Sequence, residues 1–118
     1  MDTEDLTGIA LDWAVSKANG VTWDAARFRT WHERGELQYS SDWSIGGPII
    51  ERERIGIDGM GLDNVNAGEV EAFKWVGGEQ DAFPLTAVGP TPLIAAMRCY
   101  VASQLGDEVE IPEELTKV

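Results

Sequence analysis

The residues best equipped for chemistry crowd into one sixteen-residue run, Tyr39 to Arg54, YSSDWSIGGPIIERER. Tyr39, Ser40, Ser41 and Asp42 supply hydroxyls and a carboxylate, and Trp43 supplies a flat stacking surface. Gly46-Gly47-Pro48 lets a backbone turn sharply and approach a ligand closely, and Arg52 adds a cation beside it. A second punctuated stretch, Gly89-Pro90-Thr91-Pro92, opens the only other segment of comparable information. Nucleophilic or metal chemistry finds less support. His32, the only histidine, has no cysteine, second histidine or serine at a recognisable spacing and reads as a surface residue beside Glu33 and Arg34. Cys99 lies in an apolar run, where a small buried hydrophobe is expected. No catalytic residue, metal site or cofactor is therefore expected, with Asp42, Glu51 and Glu53 kept as a minority acid and base set for glycosidic cleavage.

The elements that must position these residues predict an α+β fold in one small domain: an N-terminal helix, a short antiparallel sheet, a short central helix and a longer C-terminal helix. Leu6, Ile9, Ala10, Trp13 and Ala14 recur at helical spacing over Thr3 to Asn19, with Gly20 as the stop and Trp13 in the core. Val21 to Gln38 reads as helix or strand. Proline suits the first helical position, so the central helix is expected to begin at Pro48, with Ile49 and Ile50 inward. The charged run Glu51 to Arg54 behind it reads equally well as a surface ladder worth about 0.3 kcal/mol per pair. Ile55 to Ile57 and Glu69 to Val76 read as strands, the second alternating Val70, Ala72 and Lys74 with Glu71, Phe73 and Trp75. Between them, Asp58 to Asn64 reads as a hairpin loop, since the acid spacing of a calcium loop and the third glycine of a dinucleotide fingerprint are missing. Thr91 caps the last helix, Pro92 fits its first turn, and Leu93, Ala96, Met97, Tyr100, Val101 and Leu105 form its apolar stripe before Gly106. Arg98 falls off that stripe. Asp107 to Glu114 holds five acids, so residues 107–118 read as an exposed acidic tail of a single domain 1–118.

With 118 residues and 43% hydrophobic content the chain can bury its own core, and no apolar run approaches the roughly 18 residues of a membrane span. The start of the chain carries acids and no Lys or Arg, unlike a secretory leader, which leaves the cytoplasm where the chain is made as the expected location. A net charge of −12 opposes direct nucleic-acid binding, which depends on basic patches.

Leu11-Asp12-Trp13-Ala14-Val15, the run Tyr39 to Glu53, Gly89 through Val101, and Leu105-Gly106-Asp107-Glu108-Val109 together resemble the phage NinX-type family, over about half of the chain. That resemblance implies expression inside an infected bacterium and supplies a context rather than a mechanism. By analogy of size and context it points to a non-enzymatic protein that sequesters a host nucleotide immune signal, ADP-ribose-derived as in TIR-type Thoeris defence, or cyclic. On that reading Trp43 or Tyr39 stacks on the base, and Ser40, Ser41 and Asp42 bond the ribose. Gly46, Gly47 and Pro48 with Arg52 cradle the pyrophosphate, with Thr91 at a helix start as a second anion site and Arg98 in reserve. A homo-oligomer with its sites near subunit interfaces is expected. The alternatives are an acidic protein–protein inhibitor or DNA mimic, a hydrolase of the same signal, and a structural role.

Overall fold

The computed structural model describes residues 1–58, 69–77 and 80–116. The chain forms helices α1 (Gly8–Ala18), α2 (Ala25–Glu33) and α3 (Trp43–Glu53), strands β1 (Gly56–Asp58), β2 (Val70–Val76) and β3 (Phe83–Gly89), and helix α4 (Pro92–Leu105). The strands pair antiparallel in the order β1-β2-β3, so the fold is α+β as expected. Residues 59–64 of the turn-rich run, with Gly59-Met60-Gly61, lie outside the described residues.

The last helix follows its sequence signals closely. Thr91 Oγ1 accepts the Ile94 N–H at 3.1 Å, Pro92 opens the first turn, and Gly106 follows the last residue at φ 85°. The helix is buried more widely than one stripe, from Leu93 through Val101 with only Ile94 partly exposed. Arg98 belongs to that interior. Its Nε donates to Leu6 O at 2.9 Å and Nη1 to Val88 O at 2.8 Å, so a position off the apolar stripe is nonetheless buried.

The same contact explains why the first helix does not start at Thr3. Residues Thr3–Asp5 form a separate 3-10 turn, Leu6 is extended and fully buried, and α1 begins at Gly8. The Leu6 carbonyl, which a continuous helix would bond to an amide four residues on, receives the Arg98 guanidinium instead. Along α1 the buried positions are Ala10, Leu11, Asp12, Ala14, Val15 and Ser16, so Trp13 lies at the edge of the core rather than in it.

The ambiguous stretch after Gly20 resolves into α2, capped by Asp24, whose Oδ2 accepts the Arg27 N–H at 3.2 Å. Its buried residue is Phe28, while Trp31 is 39% exposed under the Arg34 guanidinium. Helix α3 starts five residues before Pro48. Asp42 Oδ1 accepts both Ser44 N–H at 2.9 Å and Ser44 Oγ–H at 2.6 Å, and that cap outcompetes the proline as a start signal. Pro48 then stands inside the helix on an exposed flank, where water can satisfy the carbonyl that its missing N–H leaves. Ile49 is buried and Ile50 half-buried, as expected.

Strand β2 matches its alternation, with Ala72 fully buried against the helical layer. The third strand went unpredicted. It is held by seven register pairs to β2, from Val70↔Gly89 to Val76↔Phe83, and Gly89 lets its end approach α4 closely. A Cβ there would lie 2.8 Å from Ala95 N. The acidic tail is likewise not loose. Thr3 N–H donates to Asp107 O at 2.8 Å and Val109 N–H to Met1 O at 2.9 Å, and Val109 and Leu115 are buried, so apolar anchors hold residues 107–115 to the domain.

Gly46 offers a test of the packing between α3 and α4. A Cβ on it would lie 2.2 Å from the Tyr39 carbonyl oxygen and 2.8 Å from Leu93 Cδ1, and a backbone atom cannot swing aside. Gly46→Ala should cost about 2–3 kcal/mol and lower Tm by roughly 10 °C, read from thermal and urea unfolding.

Candidate functional site

The segment from Tyr39 to Arg54 is built as a helix start. Ser41 Oγ donates to Gln38 Oε1 at 3.2 Å, Asp42 is spent on Ser44, and the Gly46 N–H donates to Asp42 O at 2.9 Å. Gly46 and Gly47 are therefore helical residues rather than an open cradle, and Gly46 is there because Tyr39 and Leu93 leave no space for a side chain. Trp43 is 54% exposed on the first turn. Arg52 is nine residues further on in the same helix, about 13 Å along the axis and half a turn round, so the two point to opposite sides. The start of α4 does come against this segment, through Leu93 on Gly46, but Thr91 Oγ1 is committed to its cap.

Arg52 has its own partners. It donates to Glu53 Oε2 at 2.8 Å, Asn19 Oδ1 at 2.9 Å and the Tyr100 hydroxyl at 3.1 Å, and lies over the Tyr100 ring. The bond to Glu53 raises its already high pKa, while Lys74, 2.7 Å from Glu53, is the main cause that lowers the Glu53 carboxyl. These groups form a structural ion cluster joining α1, α3, α4 and β2.

A buried acid that local spacing did not reveal sits deeper. Asp12, 1% exposed, accepts the Ser40 N–H on Oδ1 at 2.8 Å and is hydrogen-bonded through Oδ2 to His32 Nε2 at 2.7 Å. His32 in turn stacks on Phe28, so it is no surface residue. Burial pushes the Asp12 carboxyl up, and the hydrogen bonds from His32 and Ser40 only partly oppose that. The acid and imidazole resemble two members of a triad, yet the arrangement ties α1, α2 and the turn into α3 together rather than aiming at a nucleophile. Ser40 is buried and its amide serves Asp12. Cys99 is no substitute, because burial raises its thiol to about 11 and leaves it protonated at neutral pH.

Two concavities lie elsewhere. A groove of about 440 Å³ runs between the C-terminal half of α1, the residues after it and the 110–113 segment. Trp13, Lys17 and Trp23 line one side and Glu110, Ile111, Pro112 and Glu113 the other. An open cleft of about 700 Å³ is lined by Arg98 with Asp2, Glu4, Asp5, Glu69, Asp107 and Glu108. Burial lowers the Arg98 pKa, and the charges of Asp5, Glu69 and Glu4 oppose that shift. Of the residues expected to bind, only Arg98 lines either concavity. Trp13 and Trp23 escaped notice because the first resembled a core position and the second lay in an ambiguous stretch.

Fold and site together define a small α+β domain whose acid–imidazole and acid–cation pairs are structural and whose open features are an aromatic groove and an acidic cleft. The chain belongs to the Bacteriophage P22 NinX family, whose profile matches residues 2–104. It is also similar to a triacylglycerol lipase, OBL1, of Nicotiana tabacum, 31% identical over 70 residues that make up 59% of this chain and 12% of that protein. The chain has no Gly-x-Ser-x-Gly nucleophile turn, and the nearest approach to one, Asp42-Trp43-Ser44-Ile45-Gly46, holds a serine bonded to its own cap. Among the described residues no helix is long and apolar enough to cross a membrane.

Asp12 sets a pH dependence whose sign is fixed by burial. Its folded-state pKa lies above the ordinary 3.8, so its contribution to stability is fully present below 3.8 and is lost as pH rises through the raised value. Urea unfolding across pH should show wild type losing stability relative to Asp12→Asn as pH climbs from 3.8, whereas a flat difference would place the carboxylate in a solvated site. Asp12→Ala, which strips Ser40 and His32 of their acceptor, should cost about 3 kcal/mol at neutral pH.

Proposed function

We propose that the protein is a non-enzymatic binding module of the phage, acting in the cytoplasm of the infected bacterium, that captures a small nucleotide-type ligand and holds it uncleaved. The intended class is a host immune signal, ADP-ribose-derived of the TIR or Thoeris type, or a cyclic nucleotide. The observation that carries the reading is the preformed groove with two indoles and a lysine, whose volume of about 440 Å³ suits a mononucleotide-sized group. Further support comes from the groups that catalysis would need. Asp12, His32, Asp42, Glu53 and Cys99 are each engaged in holding the fold, while Glu51 is exposed on α3, and that commitment favours binding over catalysis.

The homo-oligomer belongs to the same proposal. Trp75, 63% exposed, shares with Phe73 the face of β2 opposite the buried Ala72 and pairs across the sheet with Pro84, an exposed apolar surface of the kind that marks a contact. A second reading, an inhibitor of a basic host protein, is favoured by the acids that ring the cleft around Arg98.

Thermal unfolding with ADP-ribose and with cyclic dinucleotides tests the first reading. Saturation at a hundred times Kd should stabilise the fold by about 2.7 kcal/mol. Chromatography of ligand released by heat should return it intact, and recovered fragments would mean hydrolysis. No shift with either ligand, together with stoichiometric and salt-sensitive capture of a basic host protein, would favour the inhibitor. Trp75→Glu should shift a native oligomer to monomer in sedimentation while leaving Tm within about 3 °C.

A further inference from the structure

We infer that the groove between α1 and the 110–113 segment is the binding site, and that it takes a planar aromatic group carrying one anionic group, as in a nucleoside monophosphate. This deepens the binding reading above and rests on it for the nucleotide class of the ligand. The groove itself stands on its geometry.

Both indoles are fixed before any ligand arrives. Trp13 and Trp23 meet the fully buried Phe28 edge to face at centroid distances of 5.3 and 6.0 Å. Trp23 Nε1 donates to the Ser16 hydroxyl at 2.9 Å, which sets the rotation of that ring. Each indole is only partly buried, so apolar ring surface remains open to the groove. The facing wall is anchored too. Arg29 donates to Glu114 O, and Leu115, 3% exposed, pins the end of the segment. A flat ligand entering between such walls pays little to order them, and ring stacking is where its affinity comes from.

The charges at the mouth select what the ring carries. Lys17 makes no ion pair among the described residues, so its ammonium is available to an anion. Glu110 and Glu113 line the opposite side and accept hydrogen bonds from sugar hydroxyls or a ring amine. One lysine against two carboxylates, on a chain of net charge −12, tolerates one phosphate and repels three. The groove should therefore rank a nucleoside monophosphate above both the bare nucleoside and the triphosphate.

Tryptophan fluorescence titration with AMP, adenosine, ATP and naphthalene-1-sulfonate tests this directly. AMP should bind most tightly of the three adenine compounds. Lys17→Glu, an exposed change that leaves the fold intact, should weaken AMP about tenfold and leave adenosine unchanged. Trp23→Leu should weaken both at least about fivefold, with folding checked by the urea midpoint, and the Lys17 variant carries the test if this one unfolds. AMP binding that neither variant alters would overturn the groove while leaving the nucleotide reading in place. Binding of naphthalene-1-sulfonate that both variants weaken, with no nucleotide bound, would keep the groove and overturn the nucleotide reading. ATP binding more tightly than AMP would overturn the charge selection.

Discussion

Helix α4 is enclosed on most of its circumference, and the rest of the fold is arranged to enclose it. The sheet covers one side, α1 and α3 others, and the 3-10 turn at Thr3–Asp5 closes the end near Arg98. Fully buried side chains such as Met97 and Val101 are each worth about 1.5–3 kcal/mol against exposure. That gain requires close approach, which small residues provide where backbones meet. Ala95 faces Gly89 at the end of β3, and Leu93 faces Gly46 in α3. A guanidinium in the middle of the enclosed helix brings a cost of its own. Arg98 offsets it with two backbone carbonyls from opposite neighbours, Leu6 and Val88, and the break between the first turn and α1 follows from that demand.

A second polar network grows from the same helix. The Tyr100 hydroxyl donates to Asn19 Oδ1 at 2.6 Å and receives Arg52, which reaches Glu53, which reaches Lys74 on β2. Burial raises the Tyr100 pKa, so the hydroxyl stays protonated and remains a donor in this chain. Arg52 is thus a link between helices and sheet. An incoming anion would have to compete with Glu53 for it, and the cost of taking one of that carboxylate's two cationic partners makes that site a poor one.

How much of this was legible in the sequence depended on whether the deciding partner was local. The start and end of α4 are set by Thr91, Pro92 and Gly106 acting within one turn, and they read correctly. Two start signals competed for α3, and the capping acid prevailed over the proline because it satisfies amide donors that would otherwise be orphaned, whereas an exposed proline inside a helix is tolerable. Asp12 and His32 lie twenty residues apart on different helices, a separation that carries no periodic signature. Strand β3, with Pro84 near its start and few strong strand formers, owes its existence to β2 beside it. The burial of Arg98 was illegible for a related reason, since helical spacing identifies a face but not what covers it.

The same distinction bears on the proposed ligand groove. A short run dense in serine, aspartate, glycine and proline meets the local needs of a helix beginning: a cap, a tight approach, and a backbone free of clashes. Those needs consume the groups that made the run look reactive. A binding surface needs convergence from separate parts of the chain, held by contacts that do not involve the groups facing the ligand. Trp13 and Lys17 from one helix, Trp23 from the turn after it and residues 110–113 from the far end of the chain meet that description, with Phe28, Ser16 and Leu115 behind them as supports. Residues so dispersed look ordinary along the sequence, and what they can do arises only once the enclosed helix has brought the two ends of the chain together.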